Sequence, residues 1–275
     1  MTGHSQDIYS LAFSEDGSLL ASASGDCLVK LWDPLSGVLL YDLDCNTESE
    51  MGYSETTETR DSGVTSVAFS PFSVGKYVIA GSLDKSIRIW DYSHIDGDST
   101  PKVSLVQQIH NAHDDSVYSV AFAPDGKQFI SGGLDKIISI WQFNPSSSGP
   151  LASKQSRCVG HKDFVLAVAY LNDSGFILSG SKDRSIHVWP SNTDEYSTGS
   201  VCMLSGHKNS IICLAVSPCS KTRVFVTGSG DKKAKIWKYS FPGQPEDSFT
   251  DSHKQSETPS SETKRIKLIA TVKQK

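Results

Sequence analysis

The chain has 275 residues, with 26 Lys and Arg set against 31 Asp and Glu for a formal net charge of −5. A mildly acidic balance argues against the phosphate backbone of a nucleic acid as the main ligand, and no run approaches the roughly 18 apolar residues of a membrane-spanning helix. The start, MTGHSQD, carries no charged-then-apolar leader, and the six cysteines include no C-x-x-C pair, so a reducing compartment is expected. Cys213 alternates with apolar residues and reads as a small buried hydrophobe.

Short β-rich runs separated by turn residues follow one another along the chain. The first group is Ile8–Ser14, Leu19–Ser24, Val29–Asp33 and Val38–Asp44, with Asp16-Gly17 and Gly25-Asp26 as its turns. Residues 45–61 are polar, mostly acidic and unpatterned, and are expected to form a mobile loop. A second group reads Val64–Ser70, Tyr77–Ser82, Ile87–Tyr92 and Val103–His110. The third reads Val117–Ala123, Gln128–Gly133, Ile138–Phe143 and a weaker run near Ser153–Gly160, after a Pro- and Ser-rich linker at 145–150. The fourth holds Val165–Leu171, Phe176–Ser181, a strand closing on Trp189 and a run near Ser200–Ser205. The fifth has Ile211–Ser217, Val224–Ser229 and Lys233–Tyr239, and then a gap: residues 240–263 have no periodicity and are expected to be disordered. Residues 264–273, with RIKLIATV at their centre, look like the missing fourth strand of that group, delivered late.

Four polar markers recur at fixed offsets within these groups. They are His4, Ser22, Asp26 and Trp32; His113, Ser131, Asp135 and Trp141; His161, Ser179, Asp183 and Trp189; and His207, Thr227, Asp231 and Trp237. Asp84 and Trp90 belong to a copy with Arg60 where His is expected and Ala80 where Ser is. Successive Trp residues are 58, 51, 48 and 48 apart. A Ser-His-Asp set invites a hydrolase reading, but a nucleophile is needed once and this set occurs four times, each with a Trp. The markers are better read as structural hydrogen-bond tetrads, because a buried Trp N–H and Ser hydroxyl both need partners. No His/Cys cluster has zinc spacing, no phosphate-binding loop is present and no cofactor is expected. In the divergent copy Arg60 is expected to reach Asp84, Trp90 loses its relay, and Asp84→Ala is expected to cost less than Asp183→Ala.

A period of 40 to 50 residues with this composition is the signature of a WD-repeat β-propeller. The fold class expected is therefore all-β, with five four-stranded antiparallel blades at about 3–44, 62–110, 113–160, 161–205 and 207–239. Several phrases further resemble the Tup-type fungal general corepressors, relatives of Groucho: QDIYSLAFS (6–14), YVIAGSLDKSIRIWD (77–91), GHKDFVLAVA (160–169) with ILSGSKDRS (177–185), and VFVTGSGDKKAKIWKY (224–239). That resemblance implies a nuclear, non-catalytic protein that does not read DNA itself. Its implied partners are DNA-binding repressor proteins, a TPR-repeat adaptor and histones. It also implies seven blades and an N-terminal coiled coil, where this chain shows five and none, as a truncated product, an incomplete gene model or a natural short form would. The other reading is a WD adaptor of another complex, a ubiquitin-ligase substrate receptor or a ribosome-assembly factor.

Two surfaces follow. The residue after the first apolar position of each inner strand (Tyr9, Thr65, Tyr118, Leu166, Ile212) is expected to emerge at one end of the channel. The residues before the corner Asp (Leu83, Leu134, Lys182) emerge there too, with Phe164 and Asn209 alongside, as a partner-binding patch. Five blades with seven-blade wedge angles form an open arc, so one face of the first blade and one of the fifth are expected to be uncovered and open to self-association.

Overall fold

The computed structural model describes residues 1–46, 62–94, 102–146, 149–172, 175–192, 196–197, 199–219, 221–240 and 265–273. The readings of 47–61 and 241–264, and of Arg60 with them, fall outside these residues. Cys45, read as the start of a loop, is instead buried in the core, and burial pushes its thiol up to about 12.

Strands β1 (Ile8–Phe13), β2 (Leu20–Ser24), β3 (Leu28–Trp32) and β4 (Leu39–Asp44) pair in order as an antiparallel sheet. The second sheet runs β5 (Val64–Phe69), β6 (Tyr77–Ser82), β7 (Ile87–His94), β8 (Lys102–Ile109), and the third β9 (Val117–Phe122), β10 (Gln128–Gly133), β11 (Ile137–Phe143), β12 (Ala152–Val159). The fourth is β13 (Val165–Leu171), β14 (Phe176–Ser181), β15 (Ile186–Pro190) and, beyond the two-residue β16 (Tyr196–Ser197), the short β17 (Cys202–Leu204). β16 leaves its own blade and pairs in parallel with Arg157 and Cys158 of β12. The fifth sheet is β18 (Ile211–Val216), β19 (Val224–Ser229), β20 (Lys233–Ser240) and β21 (Arg265–Lys273), whose antiparallel pairing runs from Lys233 opposite Lys273 to Ser240 opposite Arg265. No helix among the described residues is long and apolar enough to cross a membrane.

The blades join through their inner strands. β1 packs on β5, β5 on β9, β9 on β13 and β13 on β18; among the described residues no such packing joins β18 back to β1. Each joint is built alike. The first residue of an inner strand (Val64, Val117, Val165, Ile211) is fully buried against the second strand of the preceding blade. A Cβ at Gly81, Gly132 or Gly180 would stand 2.6, 2.7 or 2.6 Å from that side chain, which is why those positions carry no side chain; Ala23 holds the place in the first joint. The hydroxyls of Ser10, Ser66 and Ser119 then accept the N–H of Val67, Val120 and Val168 across the joint, at 3.3, 3.1 and 3.1 Å. Four apolar clusters fill the spaces so formed, each combining the outer half of one blade with the Trp side of the next.

The two ends show the same parts unpaired. Ile8, Leu11 and Phe13 of β1 stand where Val64, Val67 and Phe69 stand in β5, yet they are 52%, 61% and 62% exposed. At the other end Gly228 meets only Cys213 of its own sheet. Cys213 is exposed rather than buried, because among the described residues no neighbouring blade packs over it. This gives a direct test of the open arc. Leu11→Asp is expected to leave the melting temperature unchanged and to reduce self-association in light scattering. Val120→Asp, the same change inside a joint, is expected to cost about 4 kcal/mol in urea denaturation. Equal losses would mean that the first face is covered.

Candidate interaction surface and the tetrads beneath it

All five inner strands carry a bulge at the same place. The register slips between Ile8 and Ser10, Val64 and Ser66, Val165 and Ala167, and Ile211 and Cys213, and opposite Val117–Ser119 in β9. The extra residue is Tyr9, Thr65, Tyr118, Leu166 or Ile212. A bulge leaves one residue out of the ladder and re-aims its side chain, which is the physical reason these five stand apart from their strands. The corner residue is tied to the same end by a backbone bond: Gly25 N–H to Asp7 O, Leu83 to Gly63, Leu134 to Ser116, Lys182 to Phe164 and Gly230 to Ser210, at 2.9–3.0 Å. Because the joints keep neighbouring inner strands in register, these ends lie level from blade to blade.

The residues differ in how far they emerge. Tyr9 and Ile212 are 54% and 55% exposed. Leu83, Tyr118, Leu134, Phe164 and Leu166 are half-buried, while Lys182 and Asn209 are exposed. Lys182 Nζ lies 4.6 Å from the Phe164 ring centre, a cation–π pair that covers part of that ring. Asn209 packs against Gly230, and its Oδ1 accepts the Ser210 N–H. Thr65 does not emerge. It is buried, and its hydroxyl bonds to Gly81 O at 3.0 Å and Val117 O at 2.7 Å, so it belongs to the second joint.

The tetrads hold this end in shape. In the first blade Trp32 Nε1–H donates to Ser22 Oγ (2.8 Å), His4 Nε2 bonds the same oxygen (2.6 Å) and His4 Nδ1 bonds Asp26 Oδ2 (2.8 Å). Trp141, Ser131, His113 and Asp135 repeat this at 2.8, 2.7 and 2.9 Å. Trp189, Ser179, His161 and Asp183 do so at 2.8, 2.7 and 2.9 Å. In the fifth blade Trp237, Thr227, His207 and Asp231 give 2.9, 2.8 and 3.0 Å. Each Asp also takes the backbone N–H after its His, from Ser5, Asp114, Lys162 or Lys208. Burial works to raise the Asp231 carboxyl, but the Lys208 N–H and His207 outweigh it and hold it at about 2. Asp183 is lowered further still against the same burial, with Ser185 as an added donor.

The second blade solves the problem differently from what its sequence offset suggests. Ala80 gives Trp90 no hydroxyl, but Asp84 pairs with Arg88 Nη2 at 2.7 Å, four residues on in the same blade, and both groups are buried. Arg88 Nε and Nη1 are buried with no hydrogen-bond partner among the described residues. Asp84 is therefore firmly tied. The fourth blade has a different irregularity: His187, 6% exposed, lies with its ring centre 4.1 Å from that of His161, and its Nδ1 has no hydrogen-bond partner among the described residues. Burial first, then the neighbouring His161, pushes the His187 pKa down to about 4. Sequence spacing gave no sign of this cluster, though His187 does stand two residues before Trp189, where Lys30, Arg88 and Lys235 precede their own Trp.

A family model described as "WD domain, G-beta repeat" matches residues 1–33, 54–91, 104–142, 153–190 and 199–238. The chain belongs to that family. Its members act as protein-interaction scaffolds, and each matched repeat holds the first three strands of one of the five blades above. The chain is 30% identical over 148 residues to U3 small nucleolar RNA-associated protein 12 of Saccharomyces cerevisiae, covering 54% of this chain and 13% of that protein. It is 29% identical over 150 residues to Protein HIR1 of Kluyveromyces lactis, covering 50% and 17%. It is 32% identical over 151 residues to Small ribosomal subunit protein RACK1z of Arabidopsis thaliana, covering 51% and 41%. The chain thus matches less than half the length of each of these relatives.

Two outcomes test the polar network. Asp84→Ala strands the buried Arg88 charge, and breaking such a pair typically costs about 3–5 kcal/mol. Asp183→Ala removes one member of a hydrogen-bonded relay and is expected to cost about 1–3 kcal/mol. Urea denaturation should thus rank Asp84→Ala as the more damaging change, the reverse of what the incomplete marker set suggests. Acid should act in two stages. His187 is neutral in the fold with a pKa of about 4 against an ordinary 6.5, so protonation favours the unfolded chain as pH falls from 6.5 to 4. Asp231, at about 2 against 3.8, contributes stability that is present above 3.8 and lost as pH falls through 2. Thermal melts across pH should show both limbs, and His187→Lys should remove the upper one alone.

Proposed function

We propose that the chain is a non-catalytic scaffold that binds a partner protein at the bulge-and-corner end of its blades. The observation carrying this is that the bulges of the first, third, fourth and fifth blades turn Tyr9, Tyr118, Leu166 and Ile212 out of their strands, beside Leu83, Leu134 and the Phe164–Lys182 pair. Aromatic and aliphatic side chains held on a rigid frame suit a binding hot spot, since little entropy is lost when a partner settles on them. The tetrads serve that rigidity and take no part in chemistry: each serine hydroxyl is enclosed between a Trp and a His.

The partners this reading favours are DNA-binding repressor proteins, with a TPR-repeat adaptor and histones as further members of the assembly, in the nucleus. Its support is the set of phrases shared with the Tup-type corepressors, which fall on the inner strands and corners that build this end. A second reading, an adaptor in ribosome assembly or in a ubiquitin ligase, draws on the likeness to a protein named for its association with U3 small nucleolar RNA. Tyr9→Ala and Tyr118→Ala should each lower recovery of partners from nuclear extract about tenfold or more while moving the melting temperature little. Recovery of DNA-binding repressors and histones by the unaltered chain supports repression. Recovery of pre-ribosomal particles or cullin-type ligases would overturn it in favour of the second reading.

A further inference from the structure

Four of the five blades bring a basic side chain to the region of their Trp: Lys30, Arg88 and Lys235 stand two residues before theirs, and Lys154 reaches Trp141 from β12. Lys30 Nζ pairs with Asp42, and Arg88 pairs with Asp84. Lys154 Nζ bonds Ala112 O at 2.6 Å, 4.7 Å from the Trp141 ring centre. Lys235 Nζ bonds Gly206 O at 2.7 Å, 5.8 Å from that of Trp237. In the fourth blade the corresponding residue is His187, a buried imidazole whose Nδ1 has no partner among the described residues. One ligand atom from each of His161, Asp183 and His187 lies within 4.8 Å of the other two, the one such cluster among the described residues. A cavity of about 590 Å³ opens beside it, lined by Asp183, Ser185 and His187 and rimmed by Lys162, Arg184 and Lys208. The space exists partly because the outer strand here, β17, is only three residues long.

We propose that His161, Asp183 and His187 bind a divalent first-row transition metal ion of the zinc class, which places in the fourth blade the positive charge that side chains supply in the others. Two imidazoles and a carboxylate are a donor set that suits zinc, with bonds of about 2.0–2.2 Å. Tetrahedral ligands then stand roughly 3.4 Å apart. Separations of up to 4.8 Å must close by as much as about 1.4 Å, and the 2.9 Å contact of His161 Nδ1 with Asp183 must open slightly. Coordination through Nδ1 requires His161 to exchange tautomer. Its proton moves to Nε2 and is donated in a hydrogen bond to Ser179 Oγ, 2.7 Å away, the serine O–H turning off the ring, and no net proton is released. That hydrogen bond and the Ser185 Oγ–H bond to Asp183 Oδ1 orient two of the ligands from behind. The fourth position faces the cavity, where water or an anion drawn by the three cations completes the shell.

The test uses the full chain carrying Cys213→Ser and Cys219→Ser, which removes the two exposed thiols, after chelator treatment at neutral pH. Calorimetric titration with zinc chloride is expected to show one site and a rise in melting temperature. His187→Lys restores the cation of the other blades, so it should keep the fold and weaken zinc binding by roughly 100-fold. Unchanged zinc affinity in that variant would overturn the proposal, as would no binding by the parent chain. Should His187→Lys fold poorly, the parent chain with cobalt(II) decides the matter. Visible bands of a four-coordinate site without a thiolate charge-transfer band support the imidazole–carboxylate set, and a thiolate band places the metal on cysteine and sinks the idea.

Discussion

The molecule depends on how closely each inner strand can approach the second strand of the blade before it. At Gly81, Gly132 and Gly180 the first residue of the following blade presses where a Cβ would otherwise stand, so a methyl group there pushes the two blades apart. Close approach is also what lets the hydroxyls of Ser10, Ser66 and Ser119 reach a backbone N–H of the neighbouring sheet. Those bonds fix the height of each blade against the last, which apolar packing alone, being non-directional, does poorly. A level set of bulges and corners is the result. The interaction surface is thus a consequence of the core: three missing side chains and three hydroxyls align the end on which Tyr9, Tyr118 and Leu166 sit.

The corner Asp is the second fixed point. The residue after it, Cys27, Lys85, Lys136, Arg184 or Lys232, has a positive φ of 63° to 74°, a conformation that costs energy in any residue with a side chain. The Asp carboxylate offsets that strain by accepting the next N–H, from Leu28, Ser86, Ile137, Ser185 or Lys233. All five blades keep this bond; what varies is the group that hydrogen-bonds the carboxylate from the other side. Four use a His that also satisfies Ser or Thr and Trp, while the second uses Arg88 and dispenses with the hydroxyl. A four-member relay and a two-member ion pair are alternative answers to one requirement, a buried carboxylate with its lone pairs filled.

Much of this could be read in the sequence because its period is long and its markers are polar. His, Ser, Asp and Trp at constant offsets have no reason to recur unless they meet, and they do meet. Bulge residues were legible for a related reason: one position in each inner strand breaks the alternation of its neighbours. Offsets mislead where the geometry permits a substitute from elsewhere. Arg88 has no place in the marker pattern, yet it reaches Asp84 from β7 of the same blade, while the reading of Arg60 lies outside the described residues. Thr65 was misjudged because a small side chain at a bulge can turn back and bond the next blade, which Tyr and Leu cannot. The closeness of His161 and His187 had no periodic signature at all, since it arises from a single replacement at a site that is Lys or Arg in three other blades and Ser139 in the third.

The third position of the inner strand shows how the joints change along the chain. It is Ser in the first three blades, Ala167 in the fourth and Cys213 in the fifth. Ala167 offers no hydroxyl, so the fourth joint lacks the bond that levels the first three and relies on its apolar cluster, with Ile211 and Phe225 wholly buried, and on the Asn172 Nδ2 bond to Ser217 O. A longer polar reach from the end of β13 thus replaces a short one from its middle. Cys213, one step further, presents a weak donor and acceptor toward open solvent beside Gly228. That face has the small residue and the polar atom of a finished joint, and β1 has the apolar residues that fill one. The surfaces exposed at the two ends are therefore halves of the contact that builds the rest of the protein, and their exposure follows from where the run of blades stops, not from any change in how the blades are made.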